Sequence, residues 1–175
     1  MLKRTCIILA CIVTLVFALG PVCSAASAPQ PLKYAFVERV IDAYTLEVSI
    51  GRKLHTVRLL GLSPLESLKP EMLNKLGDLK VDNYVSTHAY NTFVYLEFDA
   101  EDRDFEDRLL AYVWLEKPEK RDASEVRTKM LNAKLLAEGY GQWMLTLPNY
   151  KYTSYLRSSG EEAQKKHLGI WSKSK

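Results

Sequence analysis

The chain has 175 residues, 24 basic and 21 acidic side chains, and a formal net charge of +3. That balance is too even for bulk charge to argue for or against a nucleic-acid partner. All three cysteines, Cys6, Cys11 and Cys23, lie near the start, so removal of that segment would leave no thiol for a disulfide or a cysteine-based metal site.

Residues 1–25 read as a secretory signal peptide. Lys3 and Arg4 open it, the run from Cys6 to Leu19 is apolar except for Thr14, and small residues follow at Cys23-Ser24-Ala25-Ala26 and Ala26-Ser27-Ala28. Cleavage is expected after Ala25 or Ala26, with Ala28 as a further position; an uncleaved anchor is the alternative. Processing would leave 22 basic against 21 acidic residues, a net charge of +1. Export to a periplasm or the medium is the expectation, with no stable membrane span in the mature chain. Residues 26–32 form a short linker, and 33–175 suffice for one domain with its own core.

Within that domain, Tyr34 to Ile50 and Leu54 to Leu62 read as strands. Leu46, Val48 and Ile50 alternate with Thr45, Glu47 and Ser49, and Gly51-Arg52 supplies a turn. From Pro70 to Tyr90 the spacing turns helical at Met72, Leu76, Leu79 and Tyr84, weakened by Gly77. Thr92 to Phe98 alternates again, and Leu109 to Leu115 is a second apolar run. Asp122 and Glu125 have capping-box spacing, Leu131 and Leu135 share a face, and Gly139 is a natural stop. Pro148 separates this helix from a last one ending near His167. The order is three strands, a helix, two strands and two helices.

Several stretches taken together resemble the staphylococcal nuclease (thermonuclease) family: VERVIDAYTLEV at 37–48, VRLLGLSPLE at 57–66, DRLLAYVWL at 107–115, NAKLLAEGYG at 132–141 and EAQKKHLGIW at 162–171. The resemblance implies an α+β fold, a five-stranded OB-type barrel with three α-helices, of a kind that binds oligonucleotides on one face. It implies cleavage of DNA and RNA phosphodiesters with calcium (Ca2+). Arg58 and Arg108 match the family's phosphate-holding arginines, and Glu66 matches the glutamate proposed as base for the attacking water.

The chemistry suits those residue types. Planar guanidinium forks bind the negative charge that gathers on phosphorus in the transition state, and a carboxylate can orient or deprotonate water. Each residue also has a plainer reading. Arg58 would be a strand arginine paired with a local acid, Arg108 a surface ion pair after an acidic run, and Glu66 a solvated turn residue.

The chain departs from the family where the metal is held. The family's V-I-D-G-D-T is VIDAYT here, with Ala43 for the glycine and Tyr44 for a ligating aspartate, and the second ligating aspartate becomes Ser63. Asp42 and Glu66 remain as candidate metal ligands, so a weak calcium site is expected, since affinity follows charged ligands and rigidity. The acidic run from Asp99 to Asp107 is a conceivable substitute. The family's aromatic residue before the second arginine falls on Glu106, and two tyrosines after the second helix fall near Met144 and Thr146.

Tyr150, Tyr152 and Tyr155 read either as packing for the C-terminal helix or as stacking surfaces for bases. His55, His88 and His167 lack ligand spacing, and Trp114, Trp143 and Trp171 read as core. Two functions are compatible with the whole: an exported monomeric nuclease of weakened catalysis acting on single-stranded or unpaired DNA or RNA, or a non-catalytic barrel binding nucleic acid, peptide or an envelope component.

Overall fold

The computed structural model describes residues 31–173. The expected signal peptide, its expected cleavage positions, the three cysteines and most of the expected 26–32 linker lie outside them. Five strands, β1 (Lys33–Asp42), β2 (Thr45–Ile50), β3 (Lys53–Leu59), β4 (Phe93–Glu97) and β5 (Leu109–Trp114), close into a barrel in the order β1-β2-β3-β5-β4. Every pairing is antiparallel except β3 with β5. A parallel pair needs a long crossover, which the helices and β4 lying between β3 and β5 in the chain provide.

Alternation explains the interior. Val37, Leu46, Val48, Val57, Leu59, Val94 and Leu96 point inward and are buried, while Tyr34, Ser49 and Phe93 do not. β5 is buried on both faces, which is why Leu109 to Leu115 reads as a continuous apolar run rather than an alternating one. Its outer residues Tyr112 and Trp114 meet the ring of Tyr152 edge-on, at 4.8 and 5.7 Å between centroids.

The three helical runs expected from periodicity are present, but two are interrupted, so the described residues contain five α-helices. The first run divides into α1 (Pro70–Asp78) and α2 (Val81–Ala89), separated where Lys80 adopts φ 50°. That left-handed conformation cannot continue a helix. The second divides into α3 (Ala123–Lys129) and α4 (Leu131–Ala137) at Met130, which has extended dihedrals and bridges to Trp114. Pairing with the end of β5, where Leu115 N–H also donates to the Lys129 carbonyl, overrides helix propensity at one residue. The last helix, α5 (Thr153–Lys165), follows the Pro148 break. Gly139 ends α4 at φ +71°, and a Cβ there would sit 2.4 Å from the Leu168 carbonyl oxygen, so only glycine fits.

Asn132 on α4 fastens the helices to the barrel. Fully buried, it donates to the carbonyls of Leu60 (2.9 Å) and Ala111 (3.2 Å) and accepts from Val113 N–H (2.9 Å). Three satisfied bonds make this buried amide favourable rather than costly. Among the described residues no helix is long and apolar enough to cross a membrane.

Candidate phosphate site on strands β3 and β5

Arg58 lies on β3, registered with Thr45 on β2 and Leu110 on β5. Extending the Val57–Leu109 pairing by one residue sets Arg108 opposite Thr56, on the same face of the sheet as Arg58. Glu66 sits in a 3-10 turn, Leu65–Ser67, that follows β3. Its side chain is exposed and makes no hydrogen bond among the described residues, but its charge acts on Arg108. Of the residues picked from the sequence, Glu66 and Arg108 thus lie within electrostatic reach of each other, Arg108 directly before β5 and Arg58 on the strand β5 pairs with.

Their surroundings differ sharply. The Arg58 side chain is only 10% exposed; its Nη1 donates to Thr45 Oγ1 at 3.1 Å and lies 3.8 Å from an Asp42 oxygen. Its Nη2 is buried without an acceptor. The guanidinium carbon stands 5.5 Å from the centre of the Tyr44 ring, a cation–π arrangement that offsets part of that deficit.

Arg108, by contrast, is engaged by Asp104 at 2.7 Å and Glu106 at 3.0 Å. Burial works against its charge, but the hydrogen bond to Asp104 and the charges of Asp104, Glu106 and Glu66 raise its pKa. Burial alone would likewise raise Asp104, yet hydrogen bonds from the Arg108 side chain and from the Arg108 and Glu106 backbones bring it below the usual range. Arg108 is thus held in place, its Nε on Asp104 and its Nη1 on Glu106, so a phosphate competes with two carboxylates for its charge.

Tyr44 stands where the resemblance implies a metal-ligating aspartate. It is fully buried, its hydroxyl donates to the Tyr140 carbonyl at 2.8 Å, and burial first, then the charges of Asp42 and Asp82, push its ionisation up despite Arg58. A neutral core phenol supplies no anionic ligand. Asp42 spends Oδ1 on the Tyr44 N–H at 2.7 Å and neighbours Arg58, while Ser63 is buried. Calcium takes six to eight oxygens, several of them carboxylate; this donor set does not fit it. Among the described residues no three His, Cys, Asp or Glu side chains gather into a metal-sized group.

Two nearby residues escape sequence reasoning. Asp82 on α2 has its carboxyl raised by burial and by Asp42, a proximity created only by tertiary packing. Phe105 is 92% exposed beside Glu106 and offers a flat apolar surface near Arg108. Its signal was legible, a lone aromatic inside an acidic run. Asp99, in that same run, accepts from Tyr112 OH and Lys151 N–H, away from Asp42.

Residues 56–173 match the family described as staphylococcal nuclease homologue. The chain is 35% identical over 135 residues to a thermonuclease of Staphylococcus intermedius, covering 77% of this chain and 74% of that protein. To a thermonuclease of Staphylococcus hyicus it is 33% identical over 136 residues, 78% of this chain and 74% of the other. To endonuclease YncB of Bacillus subtilis (strain 168) it is 32% identical over 139 residues, 79% of this chain and 61% of that protein.

Proposed function

The chain belongs to the staphylococcal nuclease family, and from that premise we propose that it is an exported phosphodiesterase of DNA or RNA that works slowly without the family's aspartate-built calcium cage. The observation that carries the reading is Arg58. A buried guanidinium nitrogen with no acceptor is expensive to keep, and in this reading a phosphate oxygen supplies that acceptor when substrate binds. Arg108 and Glu66 on the same side complete the set.

In this reading Arg58 and Arg108 bind the phosphate and stabilise charge on its oxygens as water attacks. The water oxygen bonds to phosphorus as the bond to the leaving sugar oxygen breaks. Glu66 receives the water's proton and the leaving oxygen takes one from solvent. Phe105 gives an adjacent base a surface to stack on. Engagement of Arg108 by Asp104 and Glu106 lowers affinity for phosphate, consistent with slow turnover.

The test is hydrolysis of single-stranded DNA by the purified processed protein, with calcium and then with chelator. Slow cleavage is expected, and Arg58→Ala, Arg108→Ala and Glu66→Ala should each reduce it on the order of a hundredfold. Cleavage by Glu66→Ala at the wild-type rate would refute the site. The second reading, a barrel that binds nucleic acid without cutting it, is favoured by the core placement of Tyr44; it predicts no hydrolysis by the wild type. For export, the intact mass of protein recovered from the envelope or medium should lack the first ~25 residues, and a full-length mass would refute processing.

A further inference from the structure

We propose that a cleft between the N-terminal end of α5 and the loop after β5 is a second, non-catalytic site for single-stranded nucleic acid, with bases stacked on Tyr150 and Tyr155 and phosphates on Lys117 and Lys120. The inference takes its ligand class from the nuclease reading and adds a surface separate from Arg58 and Arg108.

The cleft has a volume of about 660 Å³, within the range of sites for small organic ligands. Tyr150 is 66% exposed and Tyr155 38%, and neither hydroxyl is hydrogen-bonded among the described residues, whereas Tyr152 between them is 3% exposed and packed on Tyr112 and Trp114. The three tyrosines thus divide: Tyr152 anchors the segment in the core, and the two flanking rings face the cleft.

Cationic groups surround those rings. Glu97 does not line the cleft; fully buried, it accepts from Trp114 Nε1 at 2.9 Å and from three residues that do, Tyr152 OH at 3.0 Å, Arg121 at 3.0 Å and Lys151. One carboxylate therefore faces two cations. Lys117 and Lys120 also line the cleft and are exposed, and among the described residues their ammonium groups pair with no carboxylate. Asp99 is spent on Tyr112 and Lys151, leaving Glu119 as the lining acid without a side-chain partner. Exposed aromatic faces beside unpaired ammonium groups match a nucleotide's two chemistries, a π-face and an anion, and an apolar peptide would use only the first.

The path of the strand follows from its neighbours. Across Tyr150 lies a second, shallower depression of about 490 Å³ with Thr153, Ser154, Arg157, Ser158 and Glu161 along α5, Arg157 and Glu161 pairing at 2.7 Å. On the other side Asn149 clasps the loop that leads to Arg108, accepting from Glu101 N–H at 2.8 Å and donating to its carbonyl at 3.0 Å. The exposed acids Glu101 and Asp102 of that loop repel phosphates, whereas Asp107 pairs with Arg103 at 2.8 Å. The strand accordingly runs over Tyr150 along α5 without crossing the acidic loop.

The experiment is fluorescence anisotropy of labelled 4- and 12-residue oligothymidylates with the purified protein in chelator. Tyr150→Ala should weaken 12-mer binding about five- to a hundredfold, the range for loss of one stacked base, and Tyr150→Phe should restore it. The double variant Lys117→Ala, Lys120→Ala should lower the salt slope of log K by about 1.4, roughly 0.7 per phosphate contact on a single strand. Tyr90→Ala, an exposed tyrosine elsewhere, should change nothing. Displacement of the 12-mer by thymidine monophosphate at comparable concentration would assign the cleft to free nucleotides and overturn the strand proposal. Wild-type binding by Tyr150→Ala, or no strand binding by the wild type, would also overturn it. Hydrolysis with cleft variants that bind normally leaves the phosphodiesterase standing and removes this site; binding that depends on Tyr150 without hydrolysis does the reverse.

Discussion

Replacing Tyr44 with aspartate would put into the β1–β2 turn the carboxylate that the resemblance implies there, and the structure predicts that the change unfolds more than it repairs. Tyr44 is fully buried, with its hydroxyl on the Tyr140 carbonyl and Arg58 over its ring. A buried aromatic covers ~150–250 Å², which at ~25 cal/mol/Å² corresponds to about 4–6 kcal/mol, and measured aromatic-to-alanine losses are about 3–5 kcal/mol. The lost hydroxyl bond adds about 1 kcal/mol. Against this, the new carboxylate gives Arg58 Nη2 an acceptor, worth about 1.5–3 kcal/mol for a charged bond, but it also meets the charges of Asp42 and Asp82 that already act on this position.

The net loss is ~3–5 kcal/mol, a large fraction of a typical domain's stability. In urea unfolding followed by tryptophan fluorescence, with a slope of about 1–3 kcal/mol/M, the midpoint should fall by at least about 1 M. Tyr44→Phe keeps the ring and should lose only about 1 kcal/mol. Calcium should not recover the Tyr44→Asp midpoint, because linkage needs a site the native state holds preferentially. A Tyr44→Asp protein as stable as wild type, or a Tyr44→Phe protein as damaged as Tyr44→Asp, would refute the argument that this residue is core.

Asn132→Ala should destabilise by about 2–4 kcal/mol in the same assay, since it strips the buried Leu60 carbonyl and Val113 N–H of their amide partner, while the Ala111 carbonyl keeps the Leu60 N–H at 3.0 Å; a loss under 1 kcal/mol would mean the clasp is dispensable. Glu125 accepts first from Lys129, then from Glu119 N–H and, against some burial, from Arg121 and Lys120 N–H, which together lower its pKa to about 2. Because the folded value lies below the ordinary 4.5, its stabilisation is present above that pH and is lost as pH falls towards 2. Thermal melts of Glu125→Gln should therefore lie below wild type at pH 7 and meet it near pH 2; a difference independent of pH would exclude this origin.

Strand positions and chemistry-bearing spacings were legible in the sequence because their cause is local. Leu46, Val48 and Val57 alternate because a barrel strand has one inner face. Asp122 accepts from Glu125 N–H at 3.0 Å as a cap spaced three residues away should. The other half of the capping box is absent, since Glu125 turns instead to the N–H groups of Glu119, Lys120 and Arg121, which come near only once the preceding loop folds back. Arg58, Glu66 and Arg108 were likewise identifiable from their order and spacing within the family pattern, but not Arg108's engagement by Glu106 or the orphaned nitrogen of Arg58.

Tertiary structure decided what depends on residues distant along the chain. The break at Met130 exists because β5 needs a partner there, and Tyr44 is core because Tyr140, 96 positions away, accepts its hydroxyl. Tyr150, Tyr152 and Tyr155 have one side-chain type and adjacent numbers; only the packing of Tyr152 on Trp114 and its bond to buried Glu97 separate the core ring from the two that face solvent. Periodicity reports which face a residue takes, whereas burial and ionisation depend on what the rest of the chain brings against that face.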